Sequence, residues 1–228
     1  GWYKGRIGID KPADKGGEVF GSDYLCALMI YRTDSNEIIL MSDESFCAET
    51  SPCLADSIYD GEIRDYRAKK GATLPCRIAE KEYRTVPFYG AHIRAVEELV
   101  PTLYLSSKEE AILDYGQNMV GFVRFTATLP AGTKIRLQHG EVLQNGCFYR
   151  DNLRSARAEA VYISDGGERV YEPFFTYFGF RYVLVEGMDF VDPEKFRGIV
   201  ISSDMPQTCS CTTDSLKINR LIENTLWG

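Results

Sequence analysis

The second half of the sequence is dominated by short segments in which apolar and polar residues alternate with a period of two. In residues 134–139, Ile135 and Leu137 fall on one side and polar residues on the other. Such alternation is typical of a strand with one face on a core and one face in water. Turn-forming stretches at residues 129–133 and 165–167 separate these segments. Regularly spaced short strands predict an all-β fold of antiparallel, jelly-roll-like β-sandwiches.

The first half predicts a second, smaller sandwich region. The apolar run 24–31, the polar turn 33–36 and the apolar segment 37–41 are typical of a hairpin. Residues 68–90 are weakly patterned and contain two prolines, so we place a domain boundary there. A chain of 228 residues is long enough for two such units. We therefore expect part of an N-terminal β-sandwich domain at residues 1–86 and a second β-sandwich at 87–212.

The last segment differs from the rest of the chain. Thr213, Asp214 and Ser215 are residue types that cap helices, and apolar residues then recur at helical spacing up to Trp227. This pattern predicts a short C-terminal α-helix within residues 213–228. The apolar side of an amphipathic helix has to pack against something, so we expect the helix to begin a further, helical domain.

Charge and composition restrict the partners. The net charge is −7 and the pI about 5.0, which argues against nucleic acid. No segment approaches the roughly 20 apolar residues needed to cross a bilayer, so no membrane partner is expected. The seven cysteines include no CxxC pair and no zinc-type spacing with histidine. Reduced thiols in a cytoplasmic protein are predicted, while a periplasmic or secreted protein with disulfides stays open.

One group of polar residues is predicted to bind substrate. Asp56, Tyr59, Asp60 and Glu62 cluster in a predicted loop within an aromatic-rich part of the chain. Sugar sites combine aromatic faces with a few polar groups. The same oxygens could ligate calcium, although their spacing is not that of an EF-hand. A solvated loop next to a purely structural aromatic core is the alternative, and no metal site or other cofactor is assigned.

A second group is predicted to contact another domain. The segment 150–157 is polar and rich in arginine, and Arg154 and Arg157 are suited to pair with acidic groups of a neighbouring domain. His139 ends a strand, so either a contact with that domain or a hydrogen bond inside the sandwich accounts for it. The many carboxylates show no sign of the facing pair that glycosidic cleavage requires. No catalytic residue is therefore predicted.

Eight segments resemble the bacterial α-L-rhamnosidase family, and they keep the order and the spacing of that family over nearly the whole chain. They are GWYKGRIG (1–8), DESFCAE (43–49), IYDGEIRDYR (58–67), DYGQNMVGFVRF (114–125), PAGTKIRLQHGEVL (130–143), NLRSARAEAVYI (152–163), EPFFTYFGFRYVLVEG (172–187) and SSDMPQTCSCTTDSLKINRLIENTLWG (202–228). The resemblance implies the later part of an N-terminal sandwich, a concanavalin-like sandwich, and the first helix of an (α/α)₆ catalytic barrel.

The same resemblance implies a function for the parent protein. Members of the family are inverting glycoside hydrolases that cleave terminal α-L-rhamnosyl bonds, and their catalytic acid and base lie in the barrel. No position of this sequence matches those acidic motifs. The chain alone is therefore expected to be inactive, to support the catalytic (α/α)₆ domain and to contribute to the recognition of rhamnose-containing glycosides.

Two alternatives from other classes remain. The first is a stand-alone rhamnose-binding carbohydrate-binding module, since sandwiches of the family can hold terminal L-rhamnose, in some cases with calcium. The second is a structural or adhesion sandwich unrelated to glycosidases. In either case an incomplete first sandwich would leave strand edges open, and open edges pair with other chains. A homodimer is therefore expected.

Overall fold

The computed structural model describes residues 5–6, 19–20, 29–32, 34–68, 71, 73–77 and 89–227. The strands are β1 (Gly5–Arg6), β2 (Val19–Phe20), β3 (Met29–Tyr31), β4 (Ile38–Met41), β5 (Cys47–Glu49), β6 (Cys53–Ser57), β7 (Gly61–Asp65), β8 (Thr73–Pro75), β9 (Ile93–Leu99), β10 (Thr102–Leu105), β11 (Ala111–Thr128), β12 (Lys134–Gly140), β13 (Val142–Gln144), β14 (Cys147–Tyr149), β15 (Glu159–Ile163), β16 (Glu168–Tyr171), β17 (Phe178–Glu186) and β18 (Phe196–Ser203). Two 3₁₀ turns, Asp151–Leu153 and Pro193–Lys195, and one helix, α1 (Leu216–Trp227), complete the described elements.

One large, curled sheet organises most of these strands. Its order is β6-β7-β15-β12-β17-β11-β18-β9, and β10 and β16 pair with the two ends of β11. All of its ladders are antiparallel except β7 with β15, which run parallel. The predicted all-β sandwich is thus confirmed, as is the hairpin β3–β4, although residues 24–28 of its first predicted strand lie outside the described residues.

The long strand β11 connects the two layers of the sandwich. Its first residues pair with β10 and β17, and its last residues pair with β16 and β18. The register with β17 shifts between Asp114 and Met119, where the strand bulges. A bulge adds bend and twist to a strand and allows it to pass from one layer to the other. The two ends of this one strand therefore belong to different layers of the sandwich.

The core between the layers is rich in aromatic residues. The ring of Phe125 stacks between those of Tyr171 and Phe196, with both centroid separations at 4.8 Å. Ile135 and Leu137 are fully buried, as the alternation in their strand predicts. Burial of each such side chain contributes about 1.5–3 kcal/mol, so this core is the main source of stability of the sandwich.

The sheet includes strands that the sequence-based division placed in the first domain. The hairpin β6–β7 joins β15 through a parallel ladder, in which Gly61 is opposite Glu159. The φ of Gly61 is +104°, and a Cβ there would lie 1.8 Å from the carbonyl oxygen of Glu159. Only glycine permits this approach. Hydrogen bonding therefore crosses the predicted boundary at residues 86 and 87, which itself lies outside the described residues.

The predicted C-terminal helix is observed as α1. Thr213 donates from its backbone N–H to Asn219 Oδ1 at 2.8 Å and so fixes the first turn. None of its residues is fully buried, and Leu216, Leu221 and Leu226 are 85%, 64% and 68% exposed. Trp227 packs against the sandwich core. The helix thus rests on the sandwich at its last turn and leaves apolar side chains in solvent. No described helix is long and apolar enough to span a membrane.

Candidate functional site

Three loops meet at one rim of the sandwich, and they carry most of the residues that the sequence singled out. We call this surface the loop rim; it comprises residues 57–60, 150–158 and 173–176. The Tyr59 hydroxyl and Ser155 Oγ are 2.8 Å apart, and Glu159 donates its N–H to the carbonyl of Asp60 at 3.1 Å. Thr176 Oγ1 donates to the carbonyl of Ser57. The structure thereby brings Tyr59 and Asp60 of the predicted substrate-binding group to the same surface as the arginine-rich segment.

Two members of the predicted substrate-binding group lie in strands and not in a loop: Asp56 is in β6, and Glu62 is opposite it in β7. The side chain of Glu62 is fully buried. The carboxylate accepts the backbone N–H groups of Phe174 and Phe175, and Arg64 Nη1 donates to Oε1 at 3.0 Å. Because the structure itself occupies these oxygens, Glu62 fixes the loop rim. The assignment of Asp56, Tyr59 and Asp60 to substrate binding stays a prediction.

The anchored loop exposes two aromatic rings. Phe174 and Phe175 are 73% and 44% exposed, and their rings meet edge to face with centroids 4.9 Å apart. The guanidinium of Arg64 lies 5.7 Å from the centroid of the Phe174 ring. Large exposed aromatic groups on a fixed loop are typical of a surface that contacts another molecule or domain. No periodicity or motif in the sequence distinguishes these two phenylalanines as surface residues.

The arginine-rich segment contains one structural arginine and two exposed ones. Arg150 Nη1 donates to Glu159 Oε1 at 3.1 Å and also contacts Gln138, and Arg150 Nη2 donates to the carbonyl of Arg157. Arg154 and Arg157 are exposed, and neither forms an ion pair within the described part of the chain. Both guanidinium groups therefore remain accessible to acidic groups of a neighbour, as the sequence-based hypothesis requires.

His139 is inside the sandwich, which corrects its assignment to an interdomain contact. Its ring stacks on Phe178 with centroids 3.8 Å apart, and Nδ1 is 3.0 Å from the carbonyl oxygen of Ala158. Only 1% of the residue is exposed, so no surface remains for a partner domain. Burial lowers the pKa of the imidazole to about 3. The ring is neutral at physiological pH, and Nδ1 carries the proton that it donates to Ala158.

A polar pocket of about 390 Å³ lies between the bulge of β11 and the last turns of α1. We call it the polar pocket. The sandwich contributes Gly116, Gln117, Asn118, Glu141 and Arg181. The helix contributes Arg220, Asn224 and Trp227, which share one helical face because they are four and three residues apart. Gly116, with a φ of +74°, lets the bulge turn away from the ladder.

Arg181 is held rigidly at the edge of this pocket. Its Nε and Nη2 donate to the two carboxylate oxygens of Asp114 at 2.8 and 2.9 Å, and its guanidinium lies 4.9 Å from the Tyr182 ring centroid. Partial burial acts to raise the pKa of the Asp114 carboxyl, but hydrogen bonds from Arg181 and from the N–H of Gly116 outweigh it and the pKa is lowered. The pair therefore stays ionised at physiological pH.

Next to the polar pocket is an apolar groove of about 690 Å³. Its floor is the outer face of β9 and β18, with Ile93, Val96 and Ile201, and its wall is the end of α1, with Leu226 and Trp227. Ile93 and Val96 are more than half exposed. Leu226 belongs both to this groove and to the exposed apolar side chains of α1, and exposed apolar area of this kind is typical of a surface that packs against another domain.

Periodicity and composition gave no sign of the polar pocket. Its residues come from four separated stretches, which meet where the strand pairing of β11 is broken at the bulge. Three of its residues, Gly116, Gln117 and Asn118, belong to the motif DYGQNMVG, which is part of the family resemblance but does not by itself indicate a pocket. Within the described residues, no three His, Cys, Asp or Glu side chains are grouped so that they could hold a metal ion.

The fold and these surfaces define a class of protein: a β-sandwich module that leaves an apolar helix face and a polar pocket uncovered at one edge. Residues 1–98 match the alpha-L-rhamnosidase N-terminal domain, and residues 105–202 match the bacterial alpha-L-rhamnosidase concanavalin-like domain. The two matches follow each other in the order expected and together cover most of the chain. The chain belongs to the bacterial alpha-L-rhamnosidase family.

Individual relatives agree with this assignment. The alpha-L-rhamnosidase of Streptomyces avermitilis is 33% identical over the whole chain, which corresponds to 23% of that enzyme. The crystal structure of native α-L-rhamnosidase from Aspergillus terreus superimposes with a TM-score of 0.80 at 32% identity, and the chain covers 28% of it. The Streptomyces avermitilis enzyme complexed with L-rhamnose gives 0.81 at 31% identity and 23% coverage. The chain thus spans about a quarter of the length of these relatives.

Proposed function

We propose that this chain is the non-catalytic β-sandwich region of an α-L-rhamnosidase that hydrolyses terminal α-L-rhamnosyl bonds with inversion. The region supports the catalytic (α/α)₆ domain and contributes to recognition of rhamnose-containing glycosides. One observation carries the proposal: the whole chain aligns with about a quarter of relatives named α-L-rhamnosidase, through their N-terminal and concanavalin-like domains. The remaining length of those relatives is available for catalysis.

The supporting role is favoured by the uncovered surfaces. Leu216, Leu221 and Leu226 expose apolar area on α1, and Leu226 also lines the apolar groove beside the helix. When a partner covers apolar area of this kind and removes it from water, the free energy gained is about 25 cal/mol for each Å². Arg154 and Arg157 on the loop rim add positive charge that suits an acidic partner surface. We propose the catalytic domain of the same enzyme as that partner.

The test compares the chain alone with the full product of its gene. We expect the full product to release L-rhamnose from an aryl α-L-rhamnoside, and the chain alone to release none. Proton NMR of the first sugar formed should show β-L-rhamnose, as inversion requires. Release of rhamnose by the pure chain, abolished by replacing one of its own carboxylates, would contradict the proposal. So would a full product without activity on any rhamnoside.

A second candidate is a stand-alone rhamnose-binding module. It is favoured by the loop rim, the surface that carries Tyr59, Asp60 and the exposed ring of Phe174. Calorimetry of the chain with L-rhamnose, with and without a calcium chelator, discriminates the two. Heat that saturates at millimolar sugar and disappears with chelator supports a calcium-assisted binding module. No heat at millimolar sugar removes this second candidate.

We also propose that the protein is cytoplasmic. The described cysteines are all free thiols, namely Cys47, Cys53, Cys76, Cys147, Cys209 and Cys211. Proteins kept in a reducing compartment retain free thiols. Alkylation of protein from its own host without prior reduction should label all seven cysteines. Protein recovered from a periplasmic or culture fraction, with fewer thiols labelled, would contradict this location.

A further inference from the structure

We propose that the polar pocket binds an uncharged pyranose ring of a rhamnose-containing glycoside. The inference rests on the proposed function for the identity of the glycoside, but the pocket is separate from the carboxylate cluster at the loop rim. It lies at the bulge of β11, on the concanavalin-like part of the chain, and one of its walls is α1.

The pocket presents hydrogen-bonding groups in fixed positions. Two of the donating nitrogens of Arg181 are held by Asp114, and its Nη1 has no partner among the described residues. Glu141 Oε2 accepts from Asn152 Nδ2 at 3.0 Å, whereas Oε1 has no hydrogen bond to any described residue. One oriented donor and one oriented acceptor thus face a common space, which is what vicinal hydroxyl groups of a sugar require.

The opposite wall supplies amide and aromatic groups. The exposed side chain of Asn224 forms no hydrogen bond to the described part of the chain, so its amide can donate and accept. Trp227 is half-buried and packs against the sandwich core, which keeps its ring in place. Aromatic rings stack on the C–H faces of pyranoses, while the hydroxyls bond to polar groups at the sides.

The charge of the pocket selects an uncharged ligand. The guanidinium of Arg181 is neutralised by Asp114, and that of Arg220 by Glu223 at 2.7 Å. Glu141 adds a negative charge that no described cation pairs with. A carboxylate or phosphate would therefore meet no free cation and would be repelled by Glu141. A volume of about 390 Å³ lies within the range of small-ligand sites, about 300–1,000 Å³, and accommodates one sugar ring.

The experiment is an NMR titration of the whole chain, labelled with nitrogen-15. Methyl α-L-rhamnoside and methyl β-D-glucoside are the neutral probes, and D-glucuronate is the charged one. With at least one neutral probe we expect saturable shifts of the backbone amides of Gly116, Gln117 and Asn118 and of the Trp227 indole N–H, with a Kd on the order of millimolar. D-Glucuronate should bind at least about tenfold more weakly.

Two variants and a matched control assign the binding to the pocket. Glu141→Gln and Asn224→Ala should each weaken binding about tenfold, which corresponds to about 1.4 kcal/mol. Glu168→Gln makes the same change as Glu141→Gln on an exposed strand away from the pocket, and it should leave binding unchanged. Unaltered amide spectra elsewhere will show that the variants fold.

Three outcomes would overturn the inference: no saturable shifts with either neutral probe, shifts that neither pocket variant alters, or tighter binding of D-glucuronate. Failure of the proposed function is separate, because it is measured as hydrolysis by the full gene product. Hydrolysis without pocket shifts removes the pocket as a sugar site only. Pocket shifts without hydrolysis of any rhamnoside remove the proposed function and leave the site.

Discussion

Glu62 and Phe174 are 112 residues apart in sequence, yet both carboxylate oxygens of Glu62 accept the backbone N–H of Phe174, at 3.1 and 3.0 Å. The carboxylate is inaccessible to solvent, while the Phe174 ring is 73% exposed. A buried charge therefore holds an exposed aromatic ring in position. The contact links the hairpin β6–β7 to the loop that precedes β17.

Glu62→Gln is expected to destabilise the chain by about 2–4 kcal/mol. The substitution removes the negative charge to which Arg64 and the N–H groups of Phe174 and Phe175 donate. It also places an amide NH₂, which is a donor, opposite one of those donors. Urea unfolding followed by far-UV circular dichroism measures the loss. Glu172→Gln is the control: its carboxylate pairs with Arg124 on the surface and should contribute less than about 1 kcal/mol. Equal effects of the two substitutions would contradict this account.

His139 makes stability depend on pH in the acid range. The pKa of the buried imidazole is about 3 in the folded chain, whereas an exposed imidazole titrates near about 6.5. As the pH falls below 6.5, the imidazole of His139 binds a proton in the unfolded chain but not in the folded chain. The free energy of unfolding therefore decreases by about 1.4 kcal/mol for each pH unit between 6.5 and about 3, and this contribution is fully present only above pH 6.5.

His139→Leu tests that dependence. The variant should lose stability at pH 7.5, by roughly 1–3 kcal/mol, but its unfolding free energy should fall less steeply than that of the parent between pH 6.5 and 5. Urea unfolding at several pH values measures both slopes. His92→Leu, at an exposed position, should keep the slope of the parent. An unchanged slope in His139→Leu would show that other groups cause the acid sensitivity.

The exposed apolar side chains of α1 predict that one substitution affects the stability of the full gene product but not that of the chain alone. Leu221→Gln should change the stability of the chain alone by less than about 0.5 kcal/mol, since the side chain is largely in solvent. In the full product we expect a loss of about 1–3 kcal/mol, because a buried leucine contact with the catalytic domain is replaced by a polar group. Thermal unfolding of both proteins measures this. Lys217→Gln, on the same helix, should have no effect in either.

The chain alone is expected to form a homodimer through an uncovered strand edge. Strand β9 ends the large sheet and pairs only with β18 among the described strands. Its Val96 is 57% exposed. Val96→Lys should shift the chain towards monomer in sedimentation velocity, because a lysine on an edge strand opposes pairing. Gln207→Lys adds the same charge in a loop and should leave the dimer intact. Monomer alone at high concentration would refute the dimer.

Local patterns predicted the elements that depend on local forces. The alternation around Ile135 and Leu137 corresponds to β12, and the helical spacing before Trp227 corresponds to α1. In each case the spacing of apolar side chains within one segment is enough to indicate the type of element.

Features that depend on distant parts of the chain were not predictable in this way. The parallel pairing of β7 with β15 leaves no periodic signal, so the hydrogen bonding between these two distant strands could not be predicted. Burial of Glu62 and His139 follows from the loops and strands that cover them, and those come from elsewhere in the chain. The polar pocket exists because β11 bulges at Gly116 and because α1 returns to that place. Periodicity within one segment carries no information on either event.

The continuity of β11 has a consequence for how the chain unfolds. The same backbone supplies partners to β10 and β17 near Ile112 and to β16 and β18 near Phe125. Neither layer can open while the other stays intact, because the shared strand would have to leave both. Amide protons along the whole of β11 should therefore exchange in a single cooperative step. For the same reason, a proteolytic cut within β11 should unfold both layers of the sandwich together.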